Sequence, residues 1–245
     1  MIDPSTTSAI YDQMAEKWAL PHALMGGTRS LQAEGRLYLP QHPAENAAVY
    51  RERAKRTVLR NYFRRTVQKL VGRIFSDPIA PSEDMPDSLL NCLKNVDLMG
   101  RGLNSFTQSW FQDALVSGIS YVLVDYPVKD TAPLTADDKD RRRPYAVHIP
   151  ADHLIAAQWE TTGAGHSLTQ VRILEQVTGY DGFEENRQRQ IRVLTPVYWE
   201  IYRQNAKGHW LVTDAGENSL GQIPLIPLYT QQTGFLQATP PLEDL

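Results

Sequence analysis

At Gly118 the hydrophobic repeat of this chain changes from about 3.6 residues to about 2, and the second period then persists. Helical segments therefore come first and strands follow. That order predicts an α+β fold rather than alternating βαβ units. The change falls inside Gly118-Ile-Ser-Tyr-Val-Leu-Val-Asp-Tyr-Pro127, the most strand-like run in the chain, which ends in the acid Asp125. An apolar strand finishing in an acid can hold a metal or a base, or can simply mark where a buried strand reaches water.

Before Gly118 four helices are predicted. Residues 8–24 place Ile10, Met14, Trp18 and Leu20 at near-helical spacing, and Pro21 with Gly26-Gly27 should end that helix. Residues 43–75 read as one long helix, with Pro43 at its start and Glu45 in its first turn. Its apolar stripe is Tyr50, Ala54, Val58, Tyr62 and Leu70, joined by Leu59, Phe63 and Ile74, and Asp77-Pro78 ends it. A third helix covers 86–95. The fourth covers 105–116, capped by Asn104 or Ser105, with Phe106, Trp110, Phe111 and Leu115 facing inward.

After Gly118, strands are expected at 119–126, 145–149, 154–159, 169–178, 190–202 and 209–213. Asn205-Ala-Lys-Gly208 is a turn between the last two, across which Tyr198, Trp199, Tyr202 and Trp210 should pack. The charged, proline-bearing stretch 128–144 reads as an exposed loop, in which Arg141-Arg142-Arg143 balances Asp137, Asp138 and Asp140. No internal repeat is visible. The final Thr-Pro-Pro-Leu-Glu-Asp-Leu245 resembles a helix start, with Thr239 as N-cap, and suggests a fragment of a longer protein. The expected organisation is an arm and short helix over 1–42, then one α+β domain over 43–245.

A length of 245 residues with 42% apolar content suffices for one large domain or two small ones. A net charge of -3 supplies no global attraction to nucleic acid or to a membrane surface. A single cysteine, Cys92, excludes an intramolecular disulfide framework and a cysteine-built zinc site, which fits a cytosolic setting. The first residues lack the apolar core of a signal peptide, and no apolar run approaches the roughly 20 residues of a membrane span. A soluble intracellular protein is the expectation, with no membrane partner.

Catalytic motifs fare poorly. Asp125 as a metal-holding strand acid needs an upstream phosphate-cradling loop, but Gly26-Gly27-Thr28 lacks the lysine and Gly100-Arg101-Gly102 follows no strand. His148 and His153 form the one close histidine pair, without HExxH spacing. Ser117 and Ser167 lack a GxSxG frame. These residues predict no enzyme, no cofactor and no metal; a hydrolase using Asp125 with His148 or His153 is the remote alternative.

The segment 51–73 is different, because Arg51, Arg53, Lys55, Arg56, Arg60, Arg64, Arg65, Lys69 and Arg73 crowd it with Glu52 as the nearby acid. On one continuous helix Arg56, Arg60 and Arg64 would share a face. Such a stripe, with Arg65 and Lys69 beside it, suits phosphates or an acidic neighbouring subunit; a solvated face is the plain alternative. A nucleic-acid-binding module is thus the second functional reading.

Several runs in order carry a family likeness: LRNYFRRTVQKLVGRIFSDP, then NVDLMGRGLNSFTQSWFQDALVSGISYVLVDYP, RRPYAVHIPADHLIAAQWE, RVLTPVYWEIYR and IPLIPLY. Together they resemble the portal proteins of tailed bacteriophages, and most closely a portal-like family of phages and prophages formerly of unknown function. The likeness runs from about Tyr50 to Leu245 and rests on the order and spacing of these runs. It implies a structural subunit of a homo-oligomeric ring, about a dozen copies at one capsid vertex, through which double-stranded DNA passes. It also implies capsid, terminase and head–tail connector proteins as partners, and residence in the virion after assembly in the host cytoplasm. The matched part would be the N-terminal part of the wing region, ending before stem, clip and crown.

Overall fold

The computed structural model describes residues 3–126, 143–163 and 165–243. Its fold is α+β. Among the described residues six α-helices, α1 (Ala9–Gly26), α2 (Thr28–Glu34), α3 (Ala47–Arg56), α4 (Tyr62–Ile74), α5 (Asp87–Lys94) and α6 (Leu103–Ser117), precede the strands. Ten strands follow: β1 (Ile119–Asp125), β2 (Tyr145–Ile149), β3 (Leu154–Thr162), β4 (Gly165–Asp181), β5 (Glu184–Leu194), β6 (Tyr198–Gln204), β7 (Trp210–Glu217), β8 (Leu225–Tyr229), β9 (Gln232–Gly234) and β10 (Gln237–Ala238).

β1 is the central strand of a three-stranded antiparallel sheet in the order β2-β1-β8. β3 to β7 form a five-stranded antiparallel meander, and β9 and β10 pair separately. Alternation along β1 explains the layering. Ile119, Tyr121 and Leu123 point into the main core, where they meet Met14 and Trp18 of α1, Ile149 of β2, and Val171 and Ile173 of β4. Ser120, between them, points the other way, toward Asp113 of α6. A second cluster packs α4 on α6 through Phe63, Val67, Val71, Leu115 and Val116, with Leu24, Met25 and Leu242 at its edge. Burying each such apolar side chain contributes roughly 1.5–3 kcal/mol.

Gly118 joins α6 to β1. It sits at φ +85° as the left-handed C-cap of α6, and its N–H bonds the Ala114 carbonyl at 2.8 Å. Its carbonyl accepts from Thr230 N at 2.9 Å.

Several expectations need correction. Pro21 does not end the first helix; α1 continues to Gly26 with Pro21 inside it and its ring fully buried. The lost N–H costs helix stability, but burial of that ring and of Trp18 offsets it. The segment 43–75 is two helices rather than one. Between them Leu59 N–H bonds Thr28 Oγ1 (3.1 Å), and Gln32 Nε2 donates to the carbonyls of Lys55 (3.0 Å) and Thr57 (2.9 Å). Asn61 then caps α4, accepting from Arg64 N–H and donating to the Leu24 carbonyl at 2.5 Å. Distant side chains thus satisfy the backbone that a continuous helix would have paired internally.

The break changes which residues face inward. Val58 and Tyr62 are exposed, and Phe63, Val67 and Val71 form the buried face instead. The expected cap of α6 is also displaced: Gly102, not Asn104 or Ser105, is its N-cap, and Asn104 Oδ1 instead accepts from Ile79 N–H.

The expected strand 190–202 is also two strands. Pro196 cannot donate to a ladder, and Thr195 Oγ1 accepts from Val197 and Tyr198 N–H, turning the chain between β5 and β6. The expected aromatic packing over the last hairpin is divided. Trp199 lies over Gly216 and joins the main core, whereas Tyr202 and Trp210 pack against Ile155, Ile191 and Val193. Residues 241–243 form a turn rather than a helical first turn. Most of the charged loop, including Asp137, Asp138, Asp140, Arg141 and Arg142, lies outside the described residues.

Candidate functional site

The basic segment is the first place to look, and the break in the helix redistributes it. Arg56 ends α3, exposed, with Nη2 3.9 Å from Glu52; Arg60 lies in the extended break; Arg64 is in α4. Arg56, Arg60 and Arg64 therefore do not share one helical face. Arg64 has a structural task, donating to the Met25 carbonyl at the end of α1. Arg53 is likewise occupied, bonded to Glu45 at 2.9 and 3.0 Å and stacked over Tyr50.

What remains is a shorter and cleaner stripe. Arg65, Lys69 and Arg73 recur every fourth residue on one unbroken helix, opposite Phe63, Val67 and Val71. All three are exposed, and among the described residues none makes an ion pair. Tyr62 is exposed within the same stripe, between Lys69 and Arg73, whereas the exposed Leu70 and Ile74 lie on the side of Phe63 and Val67.

Asp125 ends β1 as expected, but its carboxylate is engaged. Oδ2 takes a hydrogen bond from Arg192 Nη1 at 2.9 Å and from the Tyr145 hydroxyl at 3.2 Å. Arg192 Nε lies 2.9 Å from Glu175 Oε1, an ion contact whose angle falls outside hydrogen-bond geometry. Glu175 is bonded in turn by Gln190, and Gln190 by Arg203. This chain of polar groups ties the end of β1 to β4, β5 and β6. Burial alone would push the Arg192 guanidinium down, yet the carboxylates of Glu175 and Asp125 outweigh it and hold it above the usual range.

The same environment makes Tyr145 a reporter. Burial first, and then the Asp125 charge, push its hydroxyl up to about 12 from an ordinary value of 10.0. The folded state therefore holds this proton more tightly than the unfolded state does. The resulting stability is complete below pH 10 and is lost as pH rises through about 12. The urea midpoint should fall between those values, and Tyr145→Phe should make the fall shallower. Identical slopes for the two proteins would show that Tyr145 is not held this way.

One constellation was not legible in the sequence. Ser120 Oγ donates to Asp113 Oδ2 at 2.7 Å, and His148 Nε2 lies 2.9 Å from that Oγ and 3.4 Å from the same Asp113 oxygen. The residue types are those of a nucleophilic triad, but the wiring differs. In a relay the histidine uses one nitrogen for the serine and the other for the acid. Here both partners crowd Nε2, the serine proton is already given to Asp113, and Ser120 has no exposed surface. Asp113 Oδ2 also accepts from Ala151 N–H at 3.3 Å. The cluster fastens α6 to β1 and β2, and His148 serves there rather than beside Asp125. Among the described residues no group of three or more His, Cys, Asp or Glu is placed to hold a metal ion.

Two surface features complete the picture. An open groove of about 720 Å³ runs between α5 and the start of α6, with Ile79, Pro81, Leu90, Leu93 and Leu103 among its walls. On the other half of the molecule, β4 and β5 outrun their neighbours. β3 pairs with β4 only through Ile173, and β6 with β5 only from Gln190 onward, while β4 and β5 stay paired out to Asp181 and Glu184. The excess is a two-stranded ribbon about 20 Å long, with Tyr180 and Phe183 exposed at its tip.

Among the described residues no helix is long and apolar enough to cross a membrane. Compared with known protein families and with curated proteins, the chain matches none.

Proposed function

We propose that this chain is a structural subunit of a portal ring of a tailed bacteriophage, corresponding to the N-terminal part of the wing. One observation carries the reading: the runs that resemble portal proteins are the segments that build the core, in the same order. The first spans the break and α4. The second spans the turn held by Asp97, then α6, Gly118 and β1. The next supplies β2 and β3, and the last two supply the β5–β6 junction and β8. A resemblance confined to loops would have carried much less.

The engaged side chains support a scaffold rather than a catalyst. Asp125 is spent on joining two sheets, and Ser120 and His148 on joining a helix to a sheet. In the proposed role the subunit contributes to a ring of about a dozen copies. Capsid, terminase and connector proteins would be its neighbours, and double-stranded DNA would pass through the assembly.

Electron microscopy and light scattering on the purified chain test this directly. The expected particle is a closed ring with an open centre. Particles that are strictly monomeric, or that grow as open filaments, would overturn the ring reading.

A further inference from the structure

We infer that the tip of the β4–β5 ribbon docks on the exposed face of α4 of a second copy of this chain, a head-to-tail contact. This deepens the ring reading and rests on its premise of self-association, but it names the two surfaces that meet.

The ribbon is the first reason. A two-stranded antiparallel ribbon is at best marginally stable in water without a surface to lie on. Residues 183–189 are all exposed, and Phe183 has its whole side chain in solvent. An aromatic ring held wholly in solvent at the end of a projecting ribbon is apolar area that a partner surface can bury.

Charge supplies the second reason. The tip sequence Tyr180-Asp-Gly-Phe-Glu-Glu185 has three acids, of which Glu185 already bonds Arg187 at 2.7 Å, while α4 has four cations and no acid. Apart from Arg64, which is turned to Met25, those cations are exposed and carry no ion pair among the described residues. Opposite patches of this kind set register and speed encounter.

The third reason separates a protein partner from DNA. A phosphate backbone needs cations but gives no use to the exposed ring of Tyr62, which lies among them. An aromatic tip uses both. Because the two surfaces are different, the contact is heterologous, and repetition of it builds a ring or a filament rather than a closed dimer.

Two charge-reversed proteins test the contact by sedimentation: Glu184→Lys/Glu185→Lys at the tip and Arg65→Glu/Lys69→Glu on α4. Both sets of positions are exposed, so folding is expected to be unaffected and is checked by circular dichroism. Alone, each should associate at least about tenfold more weakly than the parent protein, because like charges then meet. Mixed in equal amounts they should associate again, since each tip then finds a face of opposite sign. Phe183→Ser should weaken association without restoring it in any mixture.

Association indifferent to both reversals, a mixture that stays dissociated, or a parent protein that is monomeric at every concentration would overturn the contact. So would salt-sensitive binding of a DNA duplex that is lost in Arg65→Glu/Lys69→Glu with no self-association, which would assign α4 to nucleic acid. Rings that persist through both reversals would sink this contact and leave the portal reading standing. Reversal-sensitive filaments would do the opposite.

Discussion

Gly118→Ala is expected to lose about 2–5 kcal/mol of folding stability, seen as a large drop in the urea midpoint. Two separate costs add. At φ +85° a residue with a Cβ sits in the left-handed region, at roughly 1–2 kcal/mol. The new methyl would also stand 2.5 Å from the Thr239 carbonyl oxygen and 2.6 Å from its carbon. Neither is a flexible side-chain end, so the 239–240 backbone must move, at a cost of roughly 1–3 kcal/mol. Gly208→Ala isolates the first cost, since Gly208 has φ +77° and nothing within 4 Å of the added carbon. The Gly118 change should therefore be clearly the worse of the two. Equal losses would mean that the close approach of residues 239–240 to the α6–β1 junction is not real.

Arg192→Met should cost about 3 kcal/mol or more. The cation lies between Asp125 and Glu175, and its side chain is only 25% exposed. Without it two half-buried carboxylates remain, each shorn of its main partner, at the point where the two sheets are joined. The loss comes chiefly from those uncompensated charges and not from a missing attraction. Adding Asp125→Asn and Glu175→Gln to Arg192→Met should then recover most of the stability. A triple variant no better than Arg192→Met would refute this account and point to lost packing of the arginine stem.

These residues also show where sequence reasoning reaches and where it stops. The α+β class, the strand over 119–126, the 145–149 strand and the helix expected over 105–116 were legible because each depends on local periodicity and on Gly118. The Thr195-Pro196 turn was legible in principle, through a proline that no ladder can use, and was overlooked. The break between α3 and α4 was not. Residues 57–61 contain no glycine or proline, and what opens the helix is Thr28 and Gln32, supplied from another helix.

The candidate site moved for that reason. A spacing of four on paper, Arg56 to Arg60 to Arg64, spans a break in the chain, whereas Arg65, Lys69 and Arg73 lie on a real helix. The Asp125–Arg192–Glu175 and Asp113–Ser120–His148 clusters were invisible because their members come from different elements with no fixed offset. Asp125 was placed correctly at a strand end, but its partner sixty-odd residues later turned an apparent surface acid into a joint between sheets.

The position of β1 between β2 and β8 also bears on how the chain is made. One neighbour is synthesised soon after β1, and the other only when Leu225–Tyr229 appear. Until then one edge of an apolar strand stands open, a template for pairing with other nascent chains. Nor can the α4–α6 cluster be completed before Leu242 arrives. Pairings this distant in sequence carry a high loop-closure cost and fold slowly. The core therefore cannot close until residues 225–242 have left the ribosome, and the interval in which β1 lacks its second neighbour is when the protein most needs shielding from its own copies.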